Sequence, residues 1–296
     1  MKILITGSDG LVGSHLVNYL TDQHRDYNLL TPDLNNFNLL NPQSVTNFIG
    51  INKPELIIHF AAYTDVSKAQ EEITNENGFV WKINVTGVQQ IVKICKSENI
   101  PLIHISTDMV FSGSSNDPGP YDENHPSENQ EDKLCWYGWT KKKAEDIITS
   151  SLTNFTILRI SNPVRHTYTL KPDYIKKILE TLKKNKEISL FTDQYLTLTF
   201  IDDVSSAIER LINKPHSGFI HISSSNLFTP YDLGIYLKSR SKLPEGKVLK
   251  SSLDSYVNET GRKTRYLKFG GLKVTKSGQF LDMHFPSWQR IIDNIT

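Results

Sequence analysis

The chain has 296 residues, 38% of them hydrophobic and 22% charged, and its 33 Lys and Arg against 32 Asp and Glu leave a net charge of +1. That balance argues against binding nucleic acid or a membrane surface through bulk charge. The two cysteines, Cys95 and Cys135, lack metal-ligand spacing, which argues against a disulfide framework and suits a reducing compartment. Met1 and Lys2 lead directly into an apolar strand, and no apolar run approaches the ~18 residues of a membrane span, so a cytoplasmic location is expected.

Residues 2–6 (KILIT) read as a strand, and 11–24 carry apolar positions at helical spacing. A short strand covers 27–31, and Pro42 opens a helix to about residue 50 with Asn41 as its cap. The apolar run 55–60 is a buried strand, followed by a long helix over 79–99 and a strand over 101–106. Residues 112–132, rich in Ser, Gly, Asn, Asp and Pro, form a long loop, read as an active-site flap. A helix over 139–150 and a strand over 155–160 complete the first half. Strand–helix–strand alternation with short connections predicts a parallel sheet covered on both faces. Beyond it, helices are expected over 171–184, over 202–212 with Asp202 as cap, and over 230–240, with a strand over 218–222 and a mixed, basic tail from about residue 245.

The first strand runs into Thr6-Gly7-Ser8-Asp9-Gly10-Leu11-Val12-Gly13. In such a turn the first glycine permits the bend, the second lets backbone approach a pyrophosphate, and the third lets helix pack on strand. The helix N-terminus adds N–H groups and partial positive charge for phosphates. An acidic residue about twenty positions on holds the adenosine ribose in this arrangement. Asp33 stands there; it is either that group or a turn former beside Pro32. Leu34 and two asparagines follow it rather than a cation for a 2′-phosphate, which favours NAD(H) over NADP(H).

Tyr137 and Lys141 are four residues apart and share one face of a helix. An ammonium at about 4 Å, at an effective dielectric of ~20, favours the phenolate by about 4 kcal/mol, roughly three pKa units from the usual value of about 10. A phenol so acidified gives its proton to a carbonyl oxygen as hydride reaches the carbon, and the lysine also holds the nicotinamide ribose. Thr107, at the end of a parallel strand, faces the ligand crevice and bonds the same oxygen, or else caps its own loop. His59, His104 and His221 lie in apolar strands and are read as core histidines, with no metal site implied. Cys135, two residues before Tyr137, is either a reactive thiol near the site or, as favoured here, a residue at a helix start by chance. In Lys141-Lys142-Lys143, the residues after the first are expected on a solvated face. The basic run 262–268 is either a solvated face or a contact for a substrate diphosphate.

Together these pieces resemble the extended short-chain dehydrogenase/reductases, and within them the dTDP-4-dehydrorhamnose reductases. The segments that carry the likeness are TGSDGLVGSHL (6–16), FAAYTDVSKAQ (60–70), INVTGV (83–88), HISTDMVFSG (104–113), YGWTKKKAED (137–146), ILRIS (157–161), LTLTFIDDVSSAI (196–208) and GFIHIS (218–223). The resemblance implies an α/β fold, a Rossmann-type doubly wound parallel sheet with a smaller C-terminal α/β substrate lobe. The dinucleotide-binding domain would span 1–160, with 202–222 returning to it, and 161–201 with 223–296 would form the lobe. It further implies Thr107, Tyr137 and Lys141 as catalytic residues. Gly7, Gly10, Leu11, Val12, Gly13, Asp33, Phe60, Ala61, Ala62, Tyr63 and Asn84, together with Tyr137 and Lys141, would hold NAD(H) or NADP(H). Thr107, Asp108, Met109, Ser161 and Asn162 would face a nucleotide-diphosphate sugar, and Arg159 would lie beneath it. The family reduces a 4-keto-6-deoxy nucleotide sugar and is expected to be homodimeric; no nucleic-acid or membrane partner is expected.

The sequence departs from that pattern at the sugar-contacting positions. Met109 replaces an aromatic residue and is not the cysteine base of related epimerase–reductases, which argues against C3/C5 epimerisation. Asp108 is followed by Met109 rather than by the glutamate of sugar dehydratases, which argues against dehydration. Asn162 replaces a tryptophan, Gln70 a glutamate, and Arg262-Lys263 an Arg-Pro. Two other readings share the scaffold: a nucleotide-sugar 4-epimerase with retained NAD, and a non-catalytic dinucleotide-binding subunit like the regulatory partners of methionine adenosyltransferase.

Overall fold

The computed structural model describes residues 1–23, 26–168, 170, 172–184, 186–243, 245–261 and 266–296. In chain order they form β1 (Lys2–Thr6), α1 (Gly13–Gln23), β2 (Asn28–Leu30), α2 (Pro42–Asn52), β3 (Leu56–His59), α3 (Val66–Ala69), α4 (Phe79–Trp81), α5 (Gly87–Glu98), β4 (Leu102–Thr107), α6 (Trp136–Ser151) and β5 (Phe155–Ile160). Then follow β6 (Pro163–Val164), α7 (Tyr174–Lys183), β7 (Glu187–Phe191), β8 (Thr199–Phe200), α8 (Ile201–Asn213), β9 (Gly218–Ile222), α9 (Pro230–Arg240), β10 (Lys247–Ser251), α10 (Leu253–Thr260), α11 (Thr275–Leu281) and α12 (Trp288–Ile295). The helix expected over 79–99 is not continuous: a π-helical turn, Lys82–Thr86, separates α4 from α5. Helix α8 begins at Ile201, so Asp202 lies in its first turn rather than capping it.

Six strands form one sheet in the order β2-β1-β3-β4-β5-β9, and β1 pairs in parallel with both β2 and β3, as β3 does with β4. Chain order reverses direction between β1 and β3, which makes their C-terminal ends the topological switch point where open α/β sheets bind ligands. Alternation along β1 shows both faces covered: Leu4 joins Ile57, Val88, Ile91, Ala144 and Ile148 in one cluster, while Ile3 and Ile5 point the other way and are equally buried. Helices α1 and α8 are tied by His15 to Ser205 at 2.8 Å and by the Tyr19 hydroxyl donating to Glu209 at 2.5 Å.

The chain divides into two compact units, one of residues 1–110, 127–159 and 205–220, the other of 111–126, 160–204 and 221–296. The second unit has its own core, in which Trp288, Ile291 and Ile292 of α12 meet Ile175, Ile178, Leu233 and Leu237. It also holds two short parallel pairs, β7 with β10 and β6 with β8. The division differs from the expected one at 111–126, placed by sequence in the first domain and read as part of a flap. Backbone bonds explain the difference: Gly119 N–H donates to Phe269 O at 2.8 Å, Tyr121 N–H to Gly271 O at 3.0 Å, and Lys273 N–H to Tyr121 O at 2.7 Å. Phe111 stacks on Tyr121 with ring centroids 4.1 Å apart. The segment is thus woven into the second unit as an ordered piece of chain.

At α2, Asn41 Oδ1 accepts from Gln43 N–H at 3.1 Å and Ser44 N–H at 3.3 Å, and Pro42 stands in the first turn. Replacing such a cap by alanine costs about 1 kcal/mol. Asn41→Ala should therefore unfold at a slightly lower denaturant concentration than wild type with an unchanged slope, as read by circular dichroism.

Candidate active site

The turn after β1 is built for close approach. Gly7 has φ +66, and a Cβ there would stand 2.7 Å from Ala61 N, while one on Gly13 would stand 2.2 Å from Gly7 O. Only glycine meets both demands. Helix α1 begins at Gly13, so Leu11 and Val12 belong to the turn and not to the helix where periodicity placed them. Half-buried Phe60, Ala61, Ala62 and Tyr63 follow β3 beside it. Asn84, in the π-helical turn, fixes this stretch: its Oδ1 accepts from Tyr63 N–H at 2.8 Å, and its Nδ2 donates to Tyr63 O at 3.1 Å and to Thr140 Oγ1 at 3.0 Å. This cradle, at the switch point and before a helix N-terminus, fits the pyrophosphate of a dinucleotide.

Helix α6 starts three residues earlier than expected, at Trp136, which puts Tyr137 in its first turn. Its cap is Cys135, whose Sγ accepts from Gly138 N–H at 3.3 Å, an unusual cap that propensity does not announce. Gln70 Oε1 accepts from Trp136 N–H at 3.0 Å. Gln70 supplies the carbonyl-type acceptor the helix end requires. Gly138 lies so close to the turn after β4 that a Cβ would stand 2.1 Å from Met109 O. That contact sets the start of α6 against Thr107, Asp108 and Met109. Thr107, 7% exposed, ends β4; its hydroxyl accepts from Met109 N–H at 3.2 Å and donates to Asp108 at 3.3 Å. The second bond is long and weak.

Lys141, one turn after Tyr137, is only 2% exposed. Its Nζ lies 2.9 Å from His104 Nε2. Burial pulls the ammonium down to about 8, against the opposing pull of Glu145 one turn further on. Glu145 is fully engaged: Ser106 Oγ donates to Oε1 at 2.6 Å, and Arg159 donates to Oε1 at 2.9 Å and Oε2 at 2.6 Å. The expected acidification of Tyr137 by Lys141 is not what the structure shows. Burial, followed by the charges of Cys135 and Asp108, holds the phenol above its ordinary value. Tyr137 packs on the apolar cluster of Val80, Leu134, Trp136 and Trp139, where a phenolate is poorly solvated. Lys142 is also buried, against expectation, and pairs with Asp146 at 2.7 Å, and Lys143 lies over the Trp139 ring at 4.2 Å.

The remaining candidates sit elsewhere. Asp33 lies in an exposed turn beyond β2, its Oδ1 accepting from Asn35 N–H at 3.1 Å, Asn36 N–H at 3.0 Å and Asn36 Nδ2 at 2.8 Å, bonds that hold its carboxyl below the usual range. Ser161 and Asn162 belong to the second unit. Ser161 is buried and its hydroxyl donates to Thr197 O at 3.1 Å, while Asn162 has φ +45 and donates to Ser161 Oγ at 3.1 Å and Thr197 O at 3.2 Å. A left-handed backbone suits asparagine better than the tryptophan it replaces. Arg262 and Lys263 lie outside the described residues. Among the described residues no cluster of His, Cys, Asp and Glu is placed to hold a metal, and no helix is long and apolar enough to cross a membrane.

Residues 1–295 match the family described as the RmlD substrate binding domain. The chain belongs to this family. A dTDP-4-dehydrorhamnose reductase of Aggregatibacter actinomycetemcomitans is 28% identical over 99% of this chain and 98% of its own. One from Sinorhizobium fredii is 30% identical over 80% and 78%. The crystal structure of dTDP-4-dehydrorhamnose reductase from Bacillus anthracis in complex with NADP superposes with a TM-score of 0.86 at 24% identity, covering 99% and 98% of the two chains, and so shares the fold.

Sequence reading missed the supports of this RmlD-family site: His104, Gly138, Cys135, Gln70 and Thr140. Only the Gly138 beside Tyr137 carried a signal, a glycine inside a helical pattern. Because Glu145 and Arg159 are each only 2% exposed, removing one partner strands a buried charge, at a cost of about 3–5 kcal/mol. Arg159→Met should lower the thermal midpoint by many degrees, whereas Lys142→Met, which loses a pair with a half-exposed partner, should change it little in the same scan.

Proposed function

We propose that this chain is an NAD(P)H-dependent oxidoreductase that reduces the 4-keto group of a nucleotide-activated 6-deoxysugar, the activity for which its dTDP-4-dehydrorhamnose reductase relatives are named. The observation that carries this reading is the placement of Tyr137 and Lys141 on one face of α6, beside the end of β4 and within the unit that holds the glycine cradle.

The Gly7–Gly13 turn and Phe60–Tyr63 would hold the reduced dinucleotide, which when bound would supply hydride to C4 of the sugar. Tyr137 supplies the proton. The phenol carries that proton at neutral pH, and because burial makes it a weak acid, transfer depends on stabilising the phenolate as it forms. The Lys141 ammonium then stabilises the phenolate that forms as the proton leaves. Thr107 orients the carbonyl oxygen by turning its hydroxyl hydrogen away from the weak Asp108 bond. Asp33, ionised and followed by no Lys or Arg before Asn41, supports a preference for NAD(H), because a 2′-phosphate there would meet a carboxylate without a compensating cation.

Oxidation of NADH or NADPH, followed by absorbance with a dTDP-4-keto-6-deoxyhexose, tests the reading. Tyr137→Phe should lower kcat by about 100-fold or more with dinucleotide affinity nearly unchanged; a fully active variant rejects Tyr137 as proton donor. Lys141 is cationic below its value of about 8 and neutral above it. The pH profile of kcat/KM, which reports the free enzyme, should therefore fall as pH rises through about 8, and a flat profile to pH 10 would contradict a role for that charge.

A further inference from the structure

His104 and His59, assigned to the core by sequence, occupy a single row across the sheet. In register, Thr6 of β1 pairs with His59 of β3, and His59 pairs with His104 of β4. The two rings stack with centroids 5.3 Å apart and planes at 29°. Thr6 Oγ1 lies 2.6 Å from His59 Nδ1 and accepts from Ala61 N–H at 3.3 Å. At the other end, His104 Nε2 meets Lys141 Nζ. The row thus runs from the residue before Gly7 to the lysine of α6.

Both histidines are 1% exposed, and His59 Nε2 and His104 Nδ1 have no hydrogen-bond partner among the described residues. Two apolar side chains would fill this core without stranding a ring nitrogen. An ammonium has donors only, so a protonated Lys141 requires His104 Nε2 to be bare and its N–H to lie on Nδ1. The titratable groups acting on Lys141 are His104 from β4, His59 from β3 and Glu145 from its own helix, with Tyr137 one turn before it in α6. Glu145 is already committed to Arg159 and Ser106, which leaves His104 as the direct acceptor. Burial and the neighbouring ammonium hold both imidazoles neutral.

We propose that His104 is a positioning residue for the reduction: its neutral imidazole, backed by His59, accepts a hydrogen bond from Lys141 and fixes where that ammonium stands relative to Tyr137. The inference rests on the reductase reading above. His104→Leu keeps bulk and removes the acceptor; His104→Gln keeps an acceptor near the place of Nε2. The leucine variant should lose about 10- to 100-fold in kcat, the scale of a displaced catalytic group, with the KM for the sugar little changed and the basic limb of kcat/KM shifted to lower pH. Glutamine should recover most of the loss and restore the limb. A purely structural role predicts lower stability with the limb unmoved. Leucine with wild-type kcat and limb, or leucine and glutamine impaired alike, overturns the proposal. Should the leucine variant not fold, long-range proton–nitrogen spectra of ring-labelled wild type at pH 7 decide, together with the glutamine profile. The expected tautomer carries its proton on Nδ1, and an Nε2 proton, or an imidazolium, overturns the proposal. Wild-type oxidation of NADH or NADPH with the dTDP-4-keto-6-deoxyhexose, run alongside, separates the two failures: if wild type does not turn the sugar over the reductase reading falls, whereas if it does and His104→Leu behaves as wild type, only this inference falls.

Discussion

Lys141 is a charged group where water hardly reaches, and much of the first unit is arranged around that fact. A buried ammonium needs acceptors and a nearby negative charge, or it sheds its proton. His104 provides the acceptor and Glu145 the charge. Glu145 in turn is a buried carboxylate with the same problem, met by Arg159 and Ser106, and Arg159 lies against Phe219 at 4.1 Å from the ring centroid. One buried charge thus recruits a chain of polar partners that reaches from α6 into β4 and β5, with the Phe219 ring of β9 over its last member. Such a chain holds only when every member is satisfied, and it fixes the rotation of α6 about its axis. That rotation decides where Tyr137 stands.

The phenol and the ammonium work differently from the simplest expectation. A pair four residues apart suggests a cation that lowers the pKa of the phenol. Here the cation is engaged by an imidazole and the phenol packs on tryptophans, so burial dominates and the proton stays on oxygen. In the reading proposed above, the phenol gives a proton as hydride arrives, and the field of Lys141 would act at the end of the transfer, when negative charge forms on the phenol oxygen.

Departures from the family pattern become intelligible at particular positions. Gln70 keeps the acceptor that the start of α6 needs. Asn162 occupies a left-handed residue and ties its own loop to Thr197. Ser161, placed by resemblance in a sugar pocket, spends its hydroxyl on backbone within the second unit. Met109 offers its carbonyl as the surface on which Gly138 rests. Three of these four act through side-chain atoms that bond distant segments, whereas Met109 acts through its backbone carbonyl, which any residue offers.

Taken alone, the amino-acid sequence determined whatever short-range physics encodes. The apolar runs of β1, β3 and β4, the glycines at 7, 10 and 13, the cap at Asn41, and the four-residue spacing of Tyr137 and Lys141 all follow from local periodicity, steric demand and propensity. The tertiary structure decided what depends on register and packing between distant segments. His104 meets Lys141 across 37 positions, Gln70 reaches Trp136 across 66, and residues 119–121 pair with 269–273 in the second unit. No spacing rule links such residues. They become neighbours only once strands align and a glycine lets a helix approach, which is why the groups proposed to react could be named from the sequence and the groups that hold them could not.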